Sequence, residues 1–270
     1  MIKKFLTHHK LLVGIILIAA LLRFIGTNPG YPPIHTDEGI SHSQGIAMIL
    51  EHTLDPKHGY GVPYNYPIMV PLINAFFYLV IFIPLYTLGF VLLHMSEVLK
   101  ILGSNNWDIL SGIFDKNILG SGRINVVFWG RLVTALFGTG TVLMSYLVAK
   151  RLFKSDFIGL LSAFFVAINY RQVLNSHFGL PDIYNAFFLL LALYWIIRLW
   201  EKQLLCMYFL VGISVALFFS TKFQFFAIAP LLIVLIYISS EEKTWTGRIK
   251  SIFSFRVFFM LGILAATSFI

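Results

Sequence analysis

Eight apolar stretches set the terms for this chain, near residues 8–26, 67–93, 125–149, 156–174, 183–200, 204–220, 223–239 and 252–270. A helix needs about 20 apolar residues to cross the hydrocarbon core of a bilayer, and most of the stretches meet that length, several near its short limit. Only 12% of the residues are charged and 58% are hydrophobic, against roughly 25% charged in soluble domains. These features define an all-α, polytopic transmembrane helical protein and exclude a soluble core. The net charge of +8 therefore reports loops biased by the positive-inside rule rather than nucleic-acid binding. The single Cys206 lies in an apolar stretch, which leaves neither a disulfide framework nor a thiolate zinc cluster.

Basic residues set the expected orientation. Lys3-Lys4 with Lys10, Lys150-Arg151 with Lys154, Arg198 with Lys202, and Lys243 with Arg248 and Lys250 form four clusters, all expected on the cytoplasmic side. Residues 27 to about 124 then lie outside as one segment, so 67–93 makes no net crossing. Pro67, Pro71 and Pro84 agree, because proline breaks or kinks a helix interior. A broken, re-entrant or surface-lying pair of helices is expected there, and the alternative is an ordinary crossing helix that puts 94–124 in the cytoplasm. Residues 39–52 are expected to form an interfacial amphipathic helix, with Ile40, Ala47, Met48 and Ile49 toward lipid. The N-terminus resembles a signal peptide, but Arg23-Phe24-Ile25 stands where a small-x-small cleavage site would fall. It is read as an uncleaved first helix. The apolar run at Ile270 has no closing loop, which reads as a truncated chain. No internal repeat is present.

This topology gathers Asp37, Glu38, Arg131, Arg171, His177, Asp182 and Lys222 near the outer surface. Charges at membrane helix ends usually face a cavity or a partner. Separated acids and cations on one face suit a substrate with a phosphate leaving group. A carboxylate takes the proton of an attacking hydroxyl, and cations stabilise the departing phosphate. Each residue also has a plainer role. Asp37-Glu38 suit the N-terminus of the helix that follows, and Asp182 stands at an N-cap position after Pro181. Lys222 and Arg131 suit snorkelling. His35, His42 and His177 are candidate metal ligands with Asp37, at loose spacing, and otherwise interfacial polar residues. The loop from Tyr60 to Tyr66 suits an interfacial aromatic belt or a stacking face for sugars.

At these residues the chain resembles the GT-C superfamily of membrane glycosyltransferases, in the protein O-mannosyltransferase-like and aminoarabinose-transferase-like branch. His35-Thr36-Asp37-Glu38-Gly39 resembles the first-loop Asp-Glu signature. Leu54-Asp55-Pro56-Lys57-His58, then Tyr64-Asn65-Tyr66-Pro67, resembles the Asn-Pro and Tyr-Pro-Pro stretch of the same loop. Gly130-Arg131-Leu132-Val133-Thr134 onward resembles the next helix. Asn175 to Asp182 resembles the second outer loop, and Thr221-Lys222 a further small-residue-plus-Lys position. The likeness covers about residues 8–240. It implies one module over 1–270, with a first transmembrane helix at 8–26 and a long first extracytoplasmic loop over 27–124. Further transmembrane helices occupy 125–270, and the family's C-terminal part is missing.

The resemblance implies transfer of a sugar from a polyprenyl-phosphate donor to a protein, lipid or glycan hydroxyl. Transfer would occur on the extracytoplasmic face of the cell membrane, with inversion. Asp37 is then the catalytic base, or holds a metal or the acceptor in some branches; Glu38 assists it, and Asp182 is the second acid. Arg131, Lys222, His177 and Tyr66 are the substrate-binding candidates. A divalent metal is compatible with some branches and its site is undetermined. Tyr66 and Ile68 depart from the family pattern, in which some branches carry a Lys before a double proline. The competing readings are an ion-coupled transporter and a non-catalytic membrane subunit. The absence of a repeat and the placement of the acids at helix ends argue against a carrier.

Overall fold

The computed structural model describes residues 2–28, 33, 35, 38–54, 67–104, 123–222, 237, 242 and 244–268. All regular structure among them is helical. Helix α1 spans Ile2–Phe24 and α2 spans Glu38–Leu50. Helix α3 (Met69–Phe77) continues through a π-helical turn at Tyr78–Phe82 into α4 (Ile83–Leu93), and α5 covers Met95–Ser104. The long α6 runs Arg123–Phe153, followed by α7 (Asp156–Ile168) and the short α8 (Tyr170–Asn175). Helices α9 (Pro181–Glu201), α10 (Leu205–Phe219), α11 (Trp245–Ile252) and α12 (Phe255–Ser268) complete the described elements. Four continuous stretches among the described residues are long and apolar enough to cross a membrane: Met69–Leu93, Val126–Phe153, Pro181–Glu201 and Trp245–Thr267. The expected stretch 223–239 lies almost wholly outside the described residues.

Helix α6 is the axis of the bundle. One flank packs with α1 and α7 through Leu12, Ala19, Val142, Tyr146, Leu160 and Ala163. A second meets α9, α10 and α12 in a larger cluster that includes Val133, Tyr184, Phe188, Val211, Val215 and Met260. Its N-terminal end buries Trp129 against Tyr78 and Val126. Large apolar side chains elsewhere, such as Leu17, Phe157, Phe165 and Phe258, point outward, as a lipid-facing surface requires. Without a hydrophobic drive between helices in lipid, close approach at small residues supplies the packing. At Gly212 an added Cβ would stand 2.9 Å from the Met260 carbonyl oxygen.

Three expectations of the sequence differ from the structure. The stretch 67–93 is not broken. Pro71 falls in the first turn of α3, where its missing N–H would have had no intrahelical partner. Pro84 follows the π turn, whose wider spacing accommodates the hydrogen bond that proline removes. Helix α2 does not turn Ala47 and Met48 to lipid either: both are buried. Gly45 lets α2 approach α3 so closely that a Cβ there would lie 3.1 Å from the Pro71 carbonyl oxygen. The stretch 156–174 also divides, because Asn169 leaves the helical region and its side chain caps α8 by accepting the Gln172 N–H.

Candidate functional site

Where α2 begins, Glu38 is fully buried and so is Arg131 of α6. The guanidinium donates through Nε to Oε1 at 2.5 Å and through Nη2 to Oε2 at 2.9 Å. This fork-to-fork geometry is among the stronger polar contacts in proteins. The same carboxylate accepts the Gly179 N–H at 3.0 Å and the His35 N–H at 3.1 Å. One acid thus ties together the segment before α2, helix α6 and the turn before α9. Burial alone pushes this carboxyl up, but the donated hydrogen bonds, Arg131's foremost, outweigh it and hold the pKa down at about 2. An anion so saturated is a poor proton acceptor, and its geometry is that of a brace.

Beneath the pair, the His42 ring is clasped between two glycines. A Cβ on Gly130 would fall 1.9 Å from the ring and one on Gly179 1.8 Å from it. His42 Nδ1 lies 3.3 Å from the Tyr78 hydroxyl and 3.4 Å from Asn74 Nδ2. Among the described residues its Nε2 makes no close hydrogen bond and stands 3.8 Å from Glu38 Oε1. The π turn brings Tyr78 round so that its hydroxyl also donates to the Val126 carbonyl at 3.2 Å. The chain of polar groups continues from Asn74 to the Tyr184 hydroxyl (3.0 Å) and from there to Thr134 (3.1 Å).

Asp182 and Lys222 form a second pair, with Nζ 2.6 Å from Oδ1. Asp182 is not an N-cap: Leu180 holds that position, Pro181 begins α9, and no side chain caps the helix. The Asp182 carboxylate lies in the first helical turn, where negative charge is favoured, and reaches across to the turn after α10. Asn185 secures that turn by donating to Thr221 Oγ1 (3.0 Å) and to the Phe218 carbonyl (3.1 Å). The Met69 N–H donates to the Ser220 carbonyl at 3.2 Å, which docks the start of α3 on the same turn.

His177 Nδ1 is 2.9 Å from the Val173 carbonyl oxygen and Nε2 is 2.8 Å from that of Ile25. Arg171 is exposed on α8. Asp37 and Tyr66 lie outside the described residues. Among the described residues no three His, Cys, Asp or Glu side chains gather as a metal site would require; His42 is enclosed by glycines, and both ring nitrogens of His177 face carbonyls. Arg23 is a buried group that sequence reasoning passed over. Its guanidinium donates to the Val166 carbonyl at 2.9 Å and the Ala167 carbonyl at 3.0 Å, so a cation closes the C-terminal end of α7.

The fold and these pairs define a polytopic helical membrane protein with a charged cluster at one end of its bundle. The sequence profile of the dolichyl-phosphate-mannose-protein mannosyltransferase family matches residues 114–269, and the chain belongs to that family. It is a membrane glycosyltransferase of the mannosyltransferase type. The matched segment holds Arg131, His177, Asp182 and Lys222, while Asp37, Glu38 and Tyr66 precede it. No curated protein and no solved structure matches the chain.

Proposed function

We propose that this chain transfers a sugar from a polyprenyl-phosphate donor to an acceptor hydroxyl at the extracytoplasmic face of a cell membrane, with inversion. The observation that carries the reading is the convergence of Glu38–Arg131 and Asp182–Lys222 at one end of the bundle, within a mannosyltransferase family. The acceptor oxygen attacks the anomeric carbon as the bond from that carbon to the phosphate oxygen breaks. Asp37 takes the hydroxyl proton, and the phosphate leaves with the bonding electrons, stabilised by Lys222. A single displacement inverts the anomeric centre. Glu38 and Arg131 position the segment that carries Asp37, and Asp182 aims Lys222. His177 and Tyr66 line the substrate path, and the acceptor is a protein hydroxyl.

The sidedness rests on packing as well as charge. Arg151 pairs with Glu201 at the far end of α9, so two basic clusters meet at the end of the bundle remote from Asp182. The 69–93 helix supports the non-crossing reading. Val70 shares a cluster with Val133, and Phe77 meets Phe137. Tyr78, Phe82 and Tyr86 all meet Trp129, and Phe90 packs on the same cluster. Three successive turns of this helix, at Tyr78, Phe82 and Tyr86, thus meet the single ring of Trp129 on α6, as a helix lying across it would.

The test is transfer by the purified protein, with dolichyl- and undecaprenyl-phosphate sugars as donors and a hydroxyl-bearing peptide as acceptor. Donor consumption, product of inverted anomeric configuration, and its loss in Asp37→Asn at normal abundance are the expected results. Full transfer by Asp37→Asn would sink the assigned base. Cysteines introduced at positions 57, 108 and 182 are expected to react with an impermeant reagent from outside. Reaction of position 108 from the cytoplasm alone would overturn the non-crossing helix.

A further inference from the structure

At the end of the bundle opposite the two ion pairs, the α6–α7 turn and the end of α9 line a half-open cavity of about 330 Å³, within the range of small-molecule sites, about 300–1,000 Å³. Leu147 and Tyr194 line it together with Lys150, Arg151 and Lys154. Two of these cations are balanced. Lys150 Nζ lies 2.6 Å from Asp156 Oδ1, and Arg151 is hydrogen-bonded to Glu201. Lys154 is the third cation on a wall with two acids, which leaves the cavity with a net positive charge. It also sits in the left-handed region, at φ 50°, a conformation that non-glycine residues adopt only under strain. That conformation ends α6 and sets Lys154 at the cavity rim.

The surroundings are those of a membrane interface. Leu152, Phe153, Phe157 and Trp200, neighbours in sequence of the lining residues, all expose large apolar surface. The cavity therefore combines polar walls, a surplus cation and an apolar surround, the chemistry that suits a lipid headgroup at a membrane interface.

We propose that this cavity binds a phosphate group, supplied by the headgroup of an anionic phospholipid in the leaflet facing the basic end. The site is separate from the transfer chemistry, and its occupation would fasten the α6–α7 turn to α9.

The test titrates the full chain in neutral detergent with phosphatidylglycerol, phosphatidylcholine and inorganic phosphate, with bound species counted by native mass spectrometry. Phosphatidylglycerol is expected to bind in preference to phosphatidylcholine. Lys154→Asn, which keeps a residue tolerant of the left-handed backbone, is expected to weaken that binding about fivefold, as for the loss of one cation near a charged headgroup. Lys154→Arg should restore it. Lys202→Asn removes an exposed cation at the same end that does not line the cavity, and should leave binding unchanged. Displacement of the lipid by millimolar inorganic phosphate would assign the site to the phosphate group alone; resistance to it assigns the intact headgroup. Equal binding of phosphatidylcholine, or an equal loss in Lys202→Asn, overturns the proposal.

Discussion

The Glu38–Arg131 pair has no exposed side-chain surface, whereas Asp182 and Lys222 keep 42% and 33% of theirs. Each is an acid and a base at the same end of the bundle, with Gly179, a donor to Glu38, three residues ahead of Asp182. Their surroundings divide the labour. Glu38 receives four hydrogen bonds from three parts of the chain and is held ionised. Asp182 and Lys222 meet through one contact and keep access to a ligand. Burying a charge is tolerable only when it is paired and hydrogen-bonded, so the inner pair serves the architecture. A half-buried, singly bonded pair contributes little to stability, so its placement is better explained by what approaches it.

The difference between the two pairs is largest at Arg131. Arg131→Leu strands a buried carboxylate, and a loss of about 3–5 kcal/mol is expected, read as a lower unfolding temperature and lower abundance in the membrane. Glu38→Leu with Arg131→Leu should cost less than the two single changes summed, because neither charge is then orphaned. Acid should reveal the same pair. Glu38's folded pKa of about 2 lies below its ordinary value of 4.5. Its contribution is therefore fully present above about 4.5 and lost as pH falls from there toward about 2. Glu38→Gln should flatten the unfolding temperature across that window; an unchanged acid slope in the variant would remove Glu38 from its cause.

The glycine clasp around His42 comes next in size. Gly179→Ala drives a methyl group into the ring and should cost about 1–3 kcal/mol, as overpacking does. Gly179→Ala combined with His42→Ala should recover part of that loss, because the smaller side chain vacates the space. If the double variant is no more stable than Gly179→Ala alone, the clash with His42 is not the reason for glycine at that position.

The sequence exposed the bundle more clearly than the brace. Hydropathy located α6, α9, α10 and α12 because each carries an apolar run closed by charged or turn residues. It read α2 as a lipid-facing helix because Ala47 and Met48 look the same to a hydropathy scale whether protein or lipid covers them. Pro71 and Pro84 suggested a break, since composition does not reveal that one falls in a first turn and the other beside a π turn. Asp182 and Lys222 were both visible as charges at helix ends. Their pairing was not, because it joins residues 40 apart in the chain. Arg23 was passed over for the same reason, and His42 was read as a candidate metal ligand rather than a clasped ring: the Val166 and Ala167 carbonyls, and the two glycines at His42, are distant in sequence. Asn74 gave one usable signal, a carboxamide inside an apolar helix, which seldom stands there without a buried partner.

The outer pair should show the smallest effect on stability and the sharpest separation of stability from activity. Asp182→Asn and Lys222→Gln are each expected to change stability by no more than about 1 kcal/mol, as for exposed ion pairs. Transfer in Lys222→Gln should nonetheless fall by about 10²–10³, the usual loss when a donor to developing charge is removed. Asp182→Asn keeps the shape but not the charge that aims Lys222, and a smaller fall is expected. Lys222→Arg retains a cation and should recover part of the activity. The pattern that matters is the dissociation: unfolding temperature nearly constant across the series while transfer varies by orders of magnitude. If Lys222→Gln instead loses stability as heavily as Arg131→Leu, the outer pair is a second brace, and the leaving phosphate must find its cation elsewhere.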